Sequence, residues 1–274
     1  MFRAKQLKAA LVAAPLALAS VSASAAFLDF QVQEGSVLGS EVNLFTADKI
    51  TGNYVEVVTF TPTGPNTGTF TTSIKWEAGQ FVANDGVDPV TTQLNSFGAG
   101  GYGLYGLLTA GGTFSTAGGV TTFTFDAGSG SLNVFLDPSD NTTFTAPATG
   151  ASAWTTVSSA EDILIAAGGM LGGAGTLDPT LPTCDPGINC GSFGTTTSFF
   201  LTDPAGKSYF VSPNPFFNLS FQSGQLNNFT VEGTQTINGS LDVVFGRTSV
   251  PVPATLGLFG AGLLGLGAMV RRKA

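Results

Sequence analysis

Between residues 27 and 247 the chain is written in short runs of Thr, Val and Phe separated by Gly, Asn, Asp and Pro. That punctuation leaves little room for helices. β-Branched and aromatic side chains suit a pleated, half-buried surface, and the separating residues are those that turns require. In Thr121-Thr122-Phe123-Thr124-Phe125 the two Phe face one way and the Thr the other. Runs at 54–60, 69–76, 120–126, 131–137, 195–201, 207–212, 216–222, 228–232 and 240–245 read as strands. Nine or more strands without intervening amphipathic helices predict an antiparallel all-β passenger, a two-sheet sandwich or jelly-roll-like domain. One short helix is expected over 159–171, with Ser159 as N-cap, Glu161 and Asp162 in its first turn, and Gly168-Gly169 and Gly172-Gly173 dissolving its end. No internal repeat is visible, and the one stretch where a second domain would begin is 146–154.

Charge divides the chain differently from hydropathy. Arg3, Lys5 and Lys8 open it and Arg271, Arg272 and Lys273 close it, while all 18 acids lie between Asp29 and Asp242. That middle keeps four basic residues against eighteen acidic ones, a net charge of −14. Two cationic ends around an acidic middle read as topogenic signals on an exported passenger. Residues 1–25 read as a signal peptide: a basic n-region, an apolar stretch over 9–21, and Ala23 and Ala25 at the small-residue cleavage positions, so that the mature chain starts near Ala26. The apolar stretch is too short for a membrane anchor. The secreted passenger is expected over 26–247, and a C-terminal signal over 248–274. Within that signal, 254–270 reads as a transmembrane helix spanning roughly 25 Å, against about 30 Å for a bilayer core. Arg271, Arg272 and Lys273 act as the membrane stop and hold that end inside. Gly257, Ala261 and Gly265 form a small-residue ridge on the same segment, suited to close helix packing.

Pro251-Val252-Pro253, the glycine-rich apolar run and the basic end occur in the order of a known three-part signal. Over about 250–274 the chain resembles the PEP-CTERM sorting signal of Gram-negative bacteria. Val252 stands where that family has Glu. The resemblance implies an exosortase as partner, an inner-membrane-anchored intermediate, and delivery to the cell surface or extracellular space. It further implies an accompanying exopolysaccharide matrix and a part in biofilm or floc formation. The passenger strings Asn43-Leu44-Phe45-Thr46-Ala47-Asp48-Lys49, Phe81-Val82-Ala83-Asn84-Asp85-Gly86 and Tyr102-Gly103-Leu104-Tyr105-Gly106 resemble the flocculation-associated PEP-CTERM proteins, whose implied role is structural.

Candidate chemistry is sparse. With no His the chain has no Ser-His-Asp or Cys-His nucleophile system and no imidazole metal ligand. Two Cys do not hold an iron–sulfur cluster, and the acidic balance argues against nucleic acid as partner. Cys184 and Cys190 bracket a Pro-Gly turn and are read as a disulfide in an exported chain, a redox or metal role being the alternative. The stretch from Gly101 to Gly106 matches the spacing of a dinucleotide fingerprint, with Asp126 downstream, but sits amid strand patterns, so turn and bulge glycines are the reading taken. Asn84-Asp85-Gly86-Val87-Asp88 and Asp137-Pro138-Ser139-Asp140-Asn141 offer oxygen ligands suited to calcium, though neither follows the EF-hand spacing, and no cofactor is expected. Asn141, Asn218, Asn228 and Asn238 begin Asn-x-Ser/Thr sequons. The leading expectation is a structural or adhesive surface protein that is not an enzyme. A carbohydrate-binding module using Trp76, Trp154 or Tyr as sugar platforms is the second reading, and a hydrolase using Glu56 or Glu77 as acid and base the third.

Overall fold

The computed structural model describes residues 26–96 and 100–247. Ala23 and Ala25, read as signal-cleavage positions, the segment 254–270 read as a transmembrane helix, Pro251, Val252 and Pro253, and Arg271, Arg272 and Lys273 all lie outside the described residues. The passenger is all-β and antiparallel with one short helix. Its first half holds β1 (Phe30–Gln33), a 3-10 turn (Glu34–Ser36), β2 (Leu44–Ala47), β3 (Lys49–Gly64), β4 (Thr67–Ala83), β5 (Asp88–Pro89), β6 (Gly103–Ala117), β7 (Val120–Phe125) and β8 (Ser131–Asp137). Its second half holds β9 (Thr143–Thr145), β10 (Thr155–Val157), β11 (Ile163–Leu177), β12 (Gly191–Thr197), β13 (Phe200–Leu201), α1 (Ala205–Tyr209), β14 (Phe210–Ser212), β15 (Asn218–Ser223), β16 (Gly233–Ser240) and β17 (Asp242–Gly246).

The main sheet returns to its first strand. From β3 the pairing runs through β4 and β6 to β7 and β8, which share one edge of β6, then through β11, β12, β15 and β17 back to β3. β16 continues the edge of β3 beyond β17. Two β layers therefore face each other and are joined along both margins, which leaves few unpaired edges. Trp76 on β4 meets Phe221 on β15 across the interior at 5.8 Å, and Tyr54 on β3 meets Phe193 on β12 at 5.6 Å.

Alternation decides which residues fill that interior. Along β3 the buried positions are Ile50, Gly52, Tyr54, Glu56, Val58 and Phe60, joined by Val57, which breaks the alternation from the other face. On β7, Phe123 and Phe125 point inward and Thr122 and Thr124 outward, as read from the sequence, whereas Thr121, two residues before Phe123, shares the Phe face and is buried. Phenylalanine gathers at both ends of the β3–β4 ladder. At one end the small sheet β14-β1-β2 closes the interior with Phe30, which touches Phe245 at 4.8 Å and Phe210 at 5.9 Å. At the other end Phe60 stacks on Phe229 from the loop after β15, at 5.8 Å. Each such buried ring contributes about 1.5–3 kcal/mol of transfer free energy.

The helix expected over 159–171 is absent; that stretch turns at Ser159–Asp162 and then enters β11. The cause is the glycine content. Glycine costs about 1 kcal/mol relative to alanine inside a helix, whereas in a sheet it admits a neighbouring backbone. A Cβ on Gly168 would lie 1.7 Å from the Ser198 carbonyl oxygen. Among the described residues the one α-helix lies at Ala205–Tyr209, overlapping the start of the run read as strand over 207–212. There the Thr202 hydroxyl accepts from the Gly206 N–H at 3.1 Å, and the buried Tyr209 anchors the turn. Residues 228–232 form a loop rather than a strand, and the neighbouring strand is β16.

The stretch 146–154 belongs to an excursion through the β9–β10 hairpin that packs on the outer face of β3 and β4. Gly150 N–H donates to Thr59 Oγ1 at 3.0 Å, Trp154 Nε1–H donates to the Ser73 carbonyl at 3.1 Å, and Lys75 lies over the Phe144 ring at 4.6 Å. The segment between β11 and β12 carries a disulfide, Cys184–Cys190, with Cys190 fully buried. Closing so small a loop stabilises the fold by about 2 kcal/mol in the chain-entropy model.

Candidate functional site

The aromatic residues proposed as sugar platforms are used inside the fold. Trp76 is 2% exposed and its Nε1–H donates to the Leu241 carbonyl at 2.8 Å; Trp154 is 8% exposed. Tyr54, Tyr102, Tyr105 and Tyr209 are buried as well. A stacking platform must present its ring to solvent, so the platform reading of Trp76 and Trp154 is corrected. Only the register shows that Trp76 faces the interior and that Trp154 lies beneath a hairpin.

Glu56 and Glu77 occupy opposite faces of one wall. Glu56 faces Ile74 in the β3–β4 register and Glu77 faces Asn53, three residue pairs along the ladder. Glu56 points inward and is buried, whereas Glu77 is exposed and pairs with Lys75. A glycosidase pair must flank one bond from a shared cleft, and these two carboxylates do not share one. Glu56 lines an interior cavity of about 30 Å³ walled by Phe60, Phe70, Phe125, Phe193 and Phe229. Burial among these rings raises its carboxyl to about 7, against a hydrogen bond from Thr72 Oγ1 that works in the opposite direction.

In the turns named for calcium, backbone engages two of the carboxylates, Asp85, which accepts from the Phe27 N–H at 3.1 Å, and Asp137, and the first turn is also held from outside by Asp48. Asp48 accepts from the N–H groups of Asp85 and Gly86 at 2.6 and 3.0 Å, and Asn84 bonds Asp88. Asp137 accepts from Ser139 N–H at 3.1 Å and from Thr142 N–H at 2.8 Å. Asn84, Asp85 and Asp140 carry positive φ of 54°, 58° and 49°, the left-handed conformation that Asn and Asp tolerate best after Gly. These residues therefore shape the turns. The string from Gly101 to Gly106 runs into β6 and precedes no helix, so Gly103 and Gly106 are strand residues and Gly101 lies just before the strand, which is not the setting of a phosphate cradle. Among the four sequons Asn141, Asn228 and Asn238 are exposed and Asn218 is half-buried.

One buried polar centre has no signature in the sequence. Glu34, in the 3-10 turn, is fully buried and accepts from Tyr102 Oη at 2.9 Å, Asn43 Nδ2 at 2.6 Å, and Gln93 through its backbone N–H at 2.8 Å and its Nε2 at 3.3 Å. Tyr102 Oη lies 2.7 Å from Tyr209 Oη. Burial, with Tyr209 and Glu34 alongside, pushes the Tyr102 hydroxyl up, and burial does the same for Tyr209. A side chain whose oxygens accept four hydrogen bonds ties the 3-10 turn to the segments just before β2 and β6, and Tyr102 carries the contact on to Tyr209 of α1. An isolated Glu-Gly-Ser offers no pattern from which to infer this.

Residues 249–273 match the family model of the PEP-CTERM protein-sorting motif. That match supports an exported protein which passes through a membrane-anchored sorting intermediate and is processed by exosortase. No curated protein and no solved structure matches the chain.

Proposed function

We propose, from the PEP-CTERM sorting motif this chain carries, that the passenger is a structural or adhesive component of the cell surface or extracellular matrix, supporting floc or biofilm formation with exopolysaccharide. Export follows the general secretory route, and the C-terminal segment holds the protein in the inner membrane until exosortase passes it outward. The observation that carries the reading is the motif at 249–273 joined to an all-β passenger. The placement of the chemistry-bearing side chains supports it: Trp76 is buried in the interior, Trp154 is covered by a hairpin, and Glu56 and Glu77 are parted by a sheet. The short resemblance to flocculation-associated proteins points to the same role.

Deleting the host's exosortase tests the sorting half. The expected outcome is loss of the protein from the surface and medium, with accumulation in the inner-membrane fraction. An unchanged surface pool in the deletion strain would contradict the reading.

A further inference from the structure

Six hydroxyls from three adjacent strands line one groove on the outer face. Thr67 faces Ser115 and Ser115 faces Thr122; Thr69 faces Thr113 and Thr113 faces Thr124. Two cross-strand rows result, separated by two residues along each strand. Their spacing is about 4.8 Å across the strands and about 6.8 Å along them. All six residues are exposed, and the groove they line has a volume of about 320 Å³.

Two further observations separate this groove from the many other Thr and Ser of the outer surface. First, four of its six hydroxyls are unengaged. Ser115 and Thr122 bond each other at 3.0 Å, but among the described residues the hydroxyls of Thr67, Thr69, Thr113 and Thr124 have no protein partner. Elsewhere on the same face Thr59 bonds Thr234 and Gly150, and Thr109 meets Ser131. Second, no lining residue is charged, although the middle of the chain carries a net −14. Threonine is restricted at χ1, so the five Thr hydroxyls lose little rotamer freedom on contact.

We propose that this groove binds a neutral polysaccharide chain. A sugar hydroxyl both donates and accepts, as each Thr and Ser hydroxyl does. The strand spacing is comparable to the length of one pyranose unit, so successive sugars meet successive strands. An anionic polymer would meet the passenger's net negative charge with no cation in the groove to offset it. Individual contacts are weak, and retention grows with the number of units engaged along one polymer. The proposal deepens the matrix role given above and rests on it only for the setting in which the polymer is met.

The test uses protein purified from the native host, wild type and a variant carrying Thr67→Val, Thr69→Val, Thr113→Val and Thr124→Val. Each change removes a hydroxyl without a protein partner and keeps a β-branched side chain, so the thermal transition is expected to stay in place. Affinity electrophoresis through gels holding dextran, galactomannan or soluble cellulose derivative without charge is compared with alginate as the anionic probe. The expected result is retardation of the wild type by at least one neutral polymer, weakened tenfold or more in the variant, and none by alginate. Equal retardation of both proteins, retardation by alginate alone, or none by any neutral polymer would overturn the proposal. Fractionation of the variant in cells separates this outcome from sorting, which depends on the C-terminal motif and is expected to be unchanged.

Discussion

Trp76→Ala is expected to destabilise the passenger by about 3–5 kcal/mol, the range for removing a large buried aromatic side chain. Trp76 stands on β4 at the centre of the interior, 2% exposed, against Phe221 from the opposite layer. Its indole N–H holds the carbonyl of Leu241, at the turn between β16 and β17, at 2.8 Å. Removing the ring therefore opens a cavity and leaves a buried acceptor unpaired on the strand pair that closes the sheet. Trp76→Phe keeps most of the volume but not the donor, and about 1–3 kcal/mol is expected from the orphaned carbonyl. Gly52 completes the arrangement, since a Cβ there would lie 2.4 Å from the indole nitrogen. Urea unfolding monitored by fluorescence checks the ranking. A Trp76→Ala protein as stable as wild type would contradict the placement of this ring in the core.

Glu56→Gln is expected to stabilise the protein above neutral pH and to flatten its stability profile. The apolar interior raises the Glu56 carboxyl from 4.5 to about 7. The folded state thus holds the proton more tightly than the unfolded chain, so Glu56 does not penalise folding below about pH 4.5. Stability is lost as pH rises from there to about 7, and the loss levels off above. A shift of this size corresponds to about 3 kcal/mol between the two limits. Gln has nearly the same shape and no charge to desolvate, so the variant's advantage grows over the same window. Asp140 and Asp162 are raised by partial burial too, and they leave a residual slope of the same sign at lower pH in the variant. Unfolding free energies at pH 5 and pH 8 decide the matter. Parallel profiles for the two proteins would show that Glu56 is not the group responsible.

Much of the fold was legible because alternation and burial coincide. Val120–Phe125 and Ser131–Asp137 are strands almost as their spacing requires, and the Phe of β7 face inward. The long strands β6 and β11 were hidden because they are rich in Gly, which carries no hydropathy signal and weakens strand propensity. Their glycines mark places where backbones approach: a Cβ on Gly112 would lie 1.9 Å from the Thr124 carbonyl oxygen. Such contacts depend on partners distant in sequence, and local pattern does not contain them. Propensity also favoured Ser159 as a helix cap, whereas the turn it opens is fixed by Asp162, which accepts from Tyr105 and Thr142.

The candidate sites divide in the same way. The C-terminal motif is contiguous, and its three parts were readable in order despite Val252 standing where the family has Glu. Pairings across the sheet were not. Glu56 and Glu77 look like neighbours on neighbouring strands until the register puts them on opposite faces. The hydroxyl groove is equally invisible in one dimension, because Thr67, Ser115 and Thr122 meet only through two ladders.

The intact mass of the endogenous protein, taken separately from membrane and extracellular fractions, tests the sorting account most directly. The account predicts a released form that begins near Ala26 and ends near Pro251–Thr255. A membrane-bound form retaining Arg271, Arg272 and Lys273, with no shorter form in the medium, would contradict it.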